Sequence, residues 1–204
     1  MARSGPRLGL DESAVLRAAA EIVDHEGWEA LTLARLAGDL DVRTPSLYNH
    51  ITSLEGVRSG LATMGARELC DRLTRAVIGK SGEEAVFALA EAYRRFAHEH
   101  PGLYTSSLRA PRTDEPEYES ASAEILAILH AVLGRYHLDE VAEVHAIRAL
   151  RSMLHGFISL ELAGGFGMPI NIEESFHALV CLMIFGLDRA AQQNMANADN
   201  RQED

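Results

Sequence analysis

The 204-residue chain has little of what most catalytic, secreted or membrane-bound proteins use. It holds only two cysteines, Cys70 and Cys181, far apart and without a CxxC arrangement, so a disulfide framework or a cysteine-based zinc site is excluded. Both lie among apolar residues and read first as buried free thiols, with redox sensing as the other reading. Basic charge is scarce: 19 Lys and Arg face 30 Asp and Glu, a net charge of −11. That balance argues against a general nucleic-acid coat or a membrane-surface protein, and it confines any DNA contact to a local patch. No apolar run approaches the roughly 20 residues of a membrane span, and residues 1–10 lack the apolar core of a secretory signal. A cytoplasmic protein with no membrane contact is expected. Alternating apolar and polar positions are missing, as are hairpin turn pairs, which leaves an all-α fold. No Gly-rich phosphate loop, serine elbow or HExxH motif occurs. A carboxylate-bridged metal bundle needs two Glu-x-x-His units, and only Glu174-Ser175-Phe176-His177 is found. An enzyme of that kind is the remote alternative, and neither metal nor cofactor is expected.

What is present is concentrated at residues 31–51. Leu33, Leu36, Ala37 and Leu40 make one apolar stripe on a short helix. Thr32 is placed to cap it, and Leu31 with Leu36 to staple it. Ala37 is small enough to let a second helix cross closely. The turn falls at Asp41-Val42-Arg43, with Asp tolerable in a left-handed position and Val42 as the plug beneath. A second helix opens at Thr44-Pro45-Ser46, with Thr44 as its cap and Pro45 at its first position. Leu47 and Ile51 face inward, which turns Ser46, Tyr48, Asn49 and His50 outward. Polar side chains at the front of such a helix can reach phosphates and base edges in a major groove.

This helix-turn-helix resembles the DNA-binding domain of the TetR family of transcriptional regulators, whose Leu-Tyr-x-His run reads here Leu47-Tyr48-Asn49-His50. The preceding segment resembles the family too, with Asp11 as a helix cap, an inner face of Val15, Leu16, Ala19, Ile22 and Val23, and Gly27 as terminator. The resemblance implies a three-helix DNA-reading domain over 1–58 and a larger helical effector-binding and dimerisation bundle over 59–191. Residues 192–204 lose apolar periodicity and read as a disordered tail. The implied DNA-binding residues are Thr32, Arg43, Thr44, Pro45, Ser46, Tyr48, Asn49 and His50. Two departures stand out. The family often has Lys soon after the His, where this chain has Ser53-Leu54-Glu55; Ser53 can still cap the next helix. Residues 1–58 also hold six Arg against nine acidic residues, with only Arg3, Arg7, Arg43 and Arg58 well placed for phosphates. Weak non-specific binding and a gentle salt slope follow.

Downstream, Leu54, Val57, Leu61, Met64, Leu69, Leu73 and Val77 form a long stripe that ends at Gly79-Lys80-Ser81-Gly82. Further helices are expected over 83–99, 116–136, 139–163 and 172–191, with Pro101-Gly102 and Gly164-Gly165 as punctuation. Two runs, His100-Pro101-Gly102-Leu103-Tyr104 and Leu154-His155-Gly156-Phe157, resemble the ligand-binding domain of one TetR subgroup. Tyr93, Phe96, Tyr104, Met153, Phe157 and Phe166 are candidates to line a pocket for an apolar or aromatic effector, although the same spacing suits plain core. His155 reads first as a core histidine bonded to a carbonyl, and Gly156 marks a close helix approach. The last helix is apolar almost all round, which points to a homodimer interface drawn from Leu154, Phe176, Leu179, Val180, Met183 and Leu187. The family resemblance thus implies a dimeric repressor released from a palindromic double-stranded operator when a small molecule binds. A DNA-binding dimer that no small molecule gates is the other reading.

Overall fold

The structure, a computed structural model, describes residues 10–200, and among these it contains nine α-helices, two 3-10 turns and no strand. The helices are α1 (Glu12–Glu26), α2 (Leu33–Asp39), α3 (Thr44–Leu47), α4 (Leu54–Val77), α5 (Gly82–Glu99), α6 (Pro101–Ser106), α7 (Pro116–Leu133), α8 (Glu140–Leu162) and α9 (Ile172–Asn200). The fold is all-α.

Two compact units divide the chain. The first comprises the residues up to Arg67 together with Glu99–Glu119, and the second Glu68–His98 with the residues from Ser120 onward. The division therefore falls inside α4 rather than at residue 58, and a segment from the middle of the chain joins the first unit. That segment includes α6, where the sequence suggested only punctuation. Pro101 occupies the opening turn of α6, where a missing N–H costs nothing. Gly102 allows backbone contact: a Cβ there would lie 2.5 Å from the carbonyl carbon of Val23 on α1. Gly65 on α4 is pressed in the same way against the carbonyl oxygen of Leu103, at 2.6 Å. Asp24 completes the junction. Its carboxylate accepts from the N–H of Gly102 at 2.8 Å and of Leu103 at 3.0 Å, and lies 2.9 Å from Nδ1 of His100.

After α6 the chain is pinned by Glu115, a buried carboxylate. Arg109 reaches it with two nitrogens, each at 2.5 Å, the Arg112 N–H donates at 3.0 Å, and the Ser59 hydroxyl donates as well. These donors, the Arg109 guanidinium foremost, hold its pKa down to about 2.

In the second unit, Arg94 of α5 is the buried charge. It donates to Glu161 of α8 and Glu173 of α9, and His98 lies 2.9 Å from Glu161. The Arg94 guanidinium also stands 4.7 Å from the centre of the Phe176 ring. Hydrogen bonds from Arg94 lower the pKa of both carboxylates.

Three sequence expectations are corrected here. Helix α9 continues through Asn200, so residues 192–200 are helical, while 201–204 lie outside the described residues. Ala190, Ala191, Gln192 and Gln193 favour helix without supplying an apolar stripe, which is why periodicity passed over them. Cys70 is buried as expected, whereas Cys181 is exposed because it falls on the outward side of α9. Leu154, Phe176, Val180 and Leu187 are closed within the protomer's own core and cannot form a partner-facing surface; Leu179 and Met183 are half-buried.

Candidate nucleic-acid interface

Helix α2 begins as its sequence requires, with the Thr32 hydroxyl accepting from the Arg35 N–H at 3.1 Å. Leu31, Leu36 and Ala37 are buried beneath it. The chain then reverses at Asp41, which takes the left-handed conformation with φ 52°, and the Val42 N–H returns to the Ala37 carbonyl at 3.0 Å. That reversal aims α3.

Helix α3 starts one residue earlier than its sequence suggested. Arg43 is the capping residue, without a side-chain cap bond, and Thr44 already lies in the helix with Pro45 behind it. Regular α-helix stops at Leu47, and hydrogen bonds from His50 and Ile51 to the Leu47 carbonyl, at 2.8 and 3.0 Å, carry the turn onward. Leu47 and Ile51 are both buried. With the inner side fixed by these two, Arg43, Pro45 and Asn49 are exposed, Tyr48 is 54% exposed, and Thr44, Ser46 and His50 are half-buried. Seven of the eight candidate residues thus form one continuous segment, Arg43 to His50 around Leu47. Thr32 stands apart as the exposed cap of α2.

The electrostatics are set by which arginines are already engaged. Arg35 is held by Glu26 and Asp39, and Arg58 lies 3.8 Å from Glu55. Arg43 makes no ion pair among the described residues. Ser53 caps α4 by accepting from the Gly56 N–H at 3.0 Å. Beside the segment a cavity of about 490 Å³ opens between Tyr48–Thr52, Glu12 and Leu16 of α1, and Gly56 and Val57 of α4. Arg3 and Arg7, the other arginines suggested for phosphates, lie outside the described residues.

The suggested effector-pocket residues fall in both units. Tyr104 belongs to the first unit and the other five to the second. Tyr93 and Phe96 are core residues of α5, and Met153 is half-buried. Phe157 and Phe166 do meet, with ring centres 4.8 Å apart, and Phe157 also lies 5.2 Å from Phe176. Arg94, which sequence reasoning passed over, stands beside this aromatic group; its trace in the sequence is a charge set within the apolar stripe of Ala90, Tyr93 and Ala97. His155 is half-buried with Nδ1 3.3 Å from the Ser159 hydroxyl, and among the described residues no other helix comes within 4 Å of a Cβ built on Gly156. Among the described residues no cluster of His, Cys, Asp and Glu is arranged to hold a metal, and no helix is long and apolar enough to cross a membrane.

Known proteins share both the fold and the sequence. Residues 86–183 match the family described as Tetracyclin repressor-like, C-terminal domain. The HTH-type transcriptional regulator YobS of Bacillus subtilis is 37% identical, the match covering 89% of this chain and 95% of that protein. The HTH-type transcriptional regulator Rv0681 of Mycobacterium tuberculosis is 35% identical over 88% of this chain and 83% of its own length. In fold, the chain is similar to the TetR family regulator PfmR of Thermus thermophilus, with a TM-score of 0.63 at 23% identity, covering 83% of this chain and 96% of that one. The chain belongs to the TetR family of helix-turn-helix transcriptional regulators, which are not enzymes.

Proposed function

We propose that two copies of this chain bind a palindromic DNA operator in the cytoplasm and act as a repressor, released when a small molecule binds the helical bundle. The observation that carries the DNA reading is the segment Arg43–His50, whose buried Leu47 and Ile51 leave Arg43, Pro45, Tyr48 and Asn49 exposed on a short helix. A dimer places two such segments about 34 Å apart, on successive major grooves. Thr32, Arg43, Thr44, Pro45, Ser46, Tyr48, Asn49 and His50 meet the phosphates and base edges.

Support for the dimer comes from α8 and α9. Leu182 and Phe185 on α9 are 70% and 72% exposed, and Leu160 on α8 is exposed as well. Gly156 and Gly186 lie in these same helices with open space around the position a Cβ would take. Large apolar side chains beside bare backbone suit the close approach of a second copy.

Tyr48→Ala tests the interface. Operator affinity in a gel shift should fall roughly tenfold or more, the loss of one strong contact, while the dimer persists in size-exclusion chromatography. Unchanged affinity would remove Tyr48 from the interface. For the effector, a saturating ligand at about 100 times its dissociation constant stabilises by about 2.7 kcal/mol. A thermal-shift panel of apolar and aromatic compounds, followed by release from operator DNA, separates a gated repressor from an ungated one.

A further inference from the structure

From Val42 to Leu54 the chain carries no carboxylate, and its only basic side chains are Arg43 and His50. Arg43 is permanently charged. Histidine is the side chain whose ordinary titration falls between about pH 5 and 8, so the charge of this segment depends on the state of one residue. His50 sits where the chain leaves the short helix α3, its N–H bonded to the Leu47 carbonyl at 2.8 Å and its side chain half-buried. With Leu47 and Ile51 buried on the inner side, the imidazole is held at the edge of the exposed face.

What surrounds the ring decides whether a phosphate can use its charge. His50 lines the cavity of about 490 Å³ together with Glu12 of α1 and Gly56 and Val57 of α4. On α1 the charged groups toward it are Glu12 and Asp11, whose carboxylate caps the helix by accepting from the Ala14 N–H at 2.7 Å. That bond first, and the charges of Arg17 and His50 as lesser causes, hold the Asp11 pKa below its ordinary value, so His50 lies within the field of that carboxylate. On α4 the cavity wall is uncharged, and Glu55 and Arg58 beside it are 3.8 Å apart and face each other. The other titratable groups of the segment are Arg43 and Tyr48. No ion pair or side-chain hydrogen bond engages the His50 ring among the described residues. A phosphate beside the ring favours its charged form, and by reciprocity the charged form strengthens the hold on DNA.

We propose, on the reading that residues 43–50 meet DNA, that His50 takes up a proton when the operator binds and becomes the second cation of each recognition segment, so that operator affinity rises as pH falls through the histidine range. A dimer takes up two protons. The device belongs to the DNA-reading segment alone and acts without an effector.

Fluorescence anisotropy of the full chain tests it at about pH 6 and about pH 8, with a palindromic duplex that the parent protein enriches from random DNA. The parent should bind at least about tenfold tighter at the lower pH. Its salt dependence should steepen there by about 1.8 in logarithmic slope, about 0.9 for each added phosphate contact. His50→Gln cannot take a charge, so its affinity should agree within about twofold at the two pH values and be no tighter than the parent's at the higher one. His50→Arg is always charged and should bind tightly at both. Each variant keeps the other histidines, so a pH dependence that survives in His50→Gln overturns the proposal. Equal parent affinity at both pH values, or an unchanged salt slope, overturns it while leaving the DNA reading intact. A His50→Arg variant no tighter than His50→Gln, with undiminished helical circular dichroism, overturns it as well. Failure to enrich any duplex removes the DNA reading and this proposal together.

Discussion

Single residues in this protein are held by charge pairs whose strength follows their burial, and Glu115 shows it best. Its pKa is about 2 against an ordinary 4.5, chiefly through the Arg109 guanidinium. A carboxyl depressed in the folded state contributes stability that is fully present above about pH 4.5 and is lost as pH falls toward about 2, a difference of roughly 3 kcal/mol. Glu115→Gln keeps the shape and removes the charge. Urea unfolding at pH 7 should show it less stable than the parent by about 3 kcal/mol, with the gap closing near pH 2. A gap independent of pH would mean that packing, not the charge, holds the segment after α6. No spacing rule in the sequence singles out Glu115, because its partners include Ser59, 56 positions away.

At the scale of helices, Arg94 joins α5 to α8 and α9 through two carboxylates of very different exposure: the Glu161 side chain is 10% exposed and that of Glu173 70%. Breaking a buried pair strands a charge, whereas an exposed pair is screened by water. Glu161→Gln should therefore cost about 3 kcal/mol and Glu173→Gln under about 1 kcal/mol, read from thermal melts of the two variants. Equal losses would show that Arg94 is solvated by some other route. This cluster also marks the limit of what the sequence disclosed. Helices α1, α2, α4 and α8 were legible because cap residues and apolar spacings of three and four are local properties. Within the candidate interface, Asp41 in its left-handed turn and Leu47 and Ile51 as the inner side of the segment were legible for the same reason. Helix α6 was not, since six residues with Pro and Gly at the front carry no pattern of their own. They are helical because Asp24, 78 positions earlier in the chain, accepts the Gly102 N–H. His98 and His100 are likewise matched to their partners, Glu161 and Asp24, only by the fold.

For the molecule as a whole the decisive quantity is charge. At −11 per chain, a pair of subunits carries a large negative charge toward a polyanion, and the described recognition segment offers Arg43 as its unpaired cation. One such segment cannot hold DNA by electrostatics, since each neutralised phosphate contributes a salt slope of only about −0.9. On the proposed reading, affinity comes from two segments engaged together, where the second binds at the high effective concentration the first creates. The proposal therefore makes dimerisation a condition for operator binding, and Phe185→Glu tests that dependence directly. A carboxylate on the most exposed aromatic of α9 should give a monomer by light scattering with undiminished helicity, because Phe185 contributes nothing to the protomer's core. Operator affinity should fall at least about a hundredfold, as expected when paired binding is lost, and the salt dependence of the residual binding should be shallower. A variant that is monomeric yet binds its operator as tightly as the parent would show that one recognition segment suffices. The scarcity of basic charge would then have to be offset by base contacts alone.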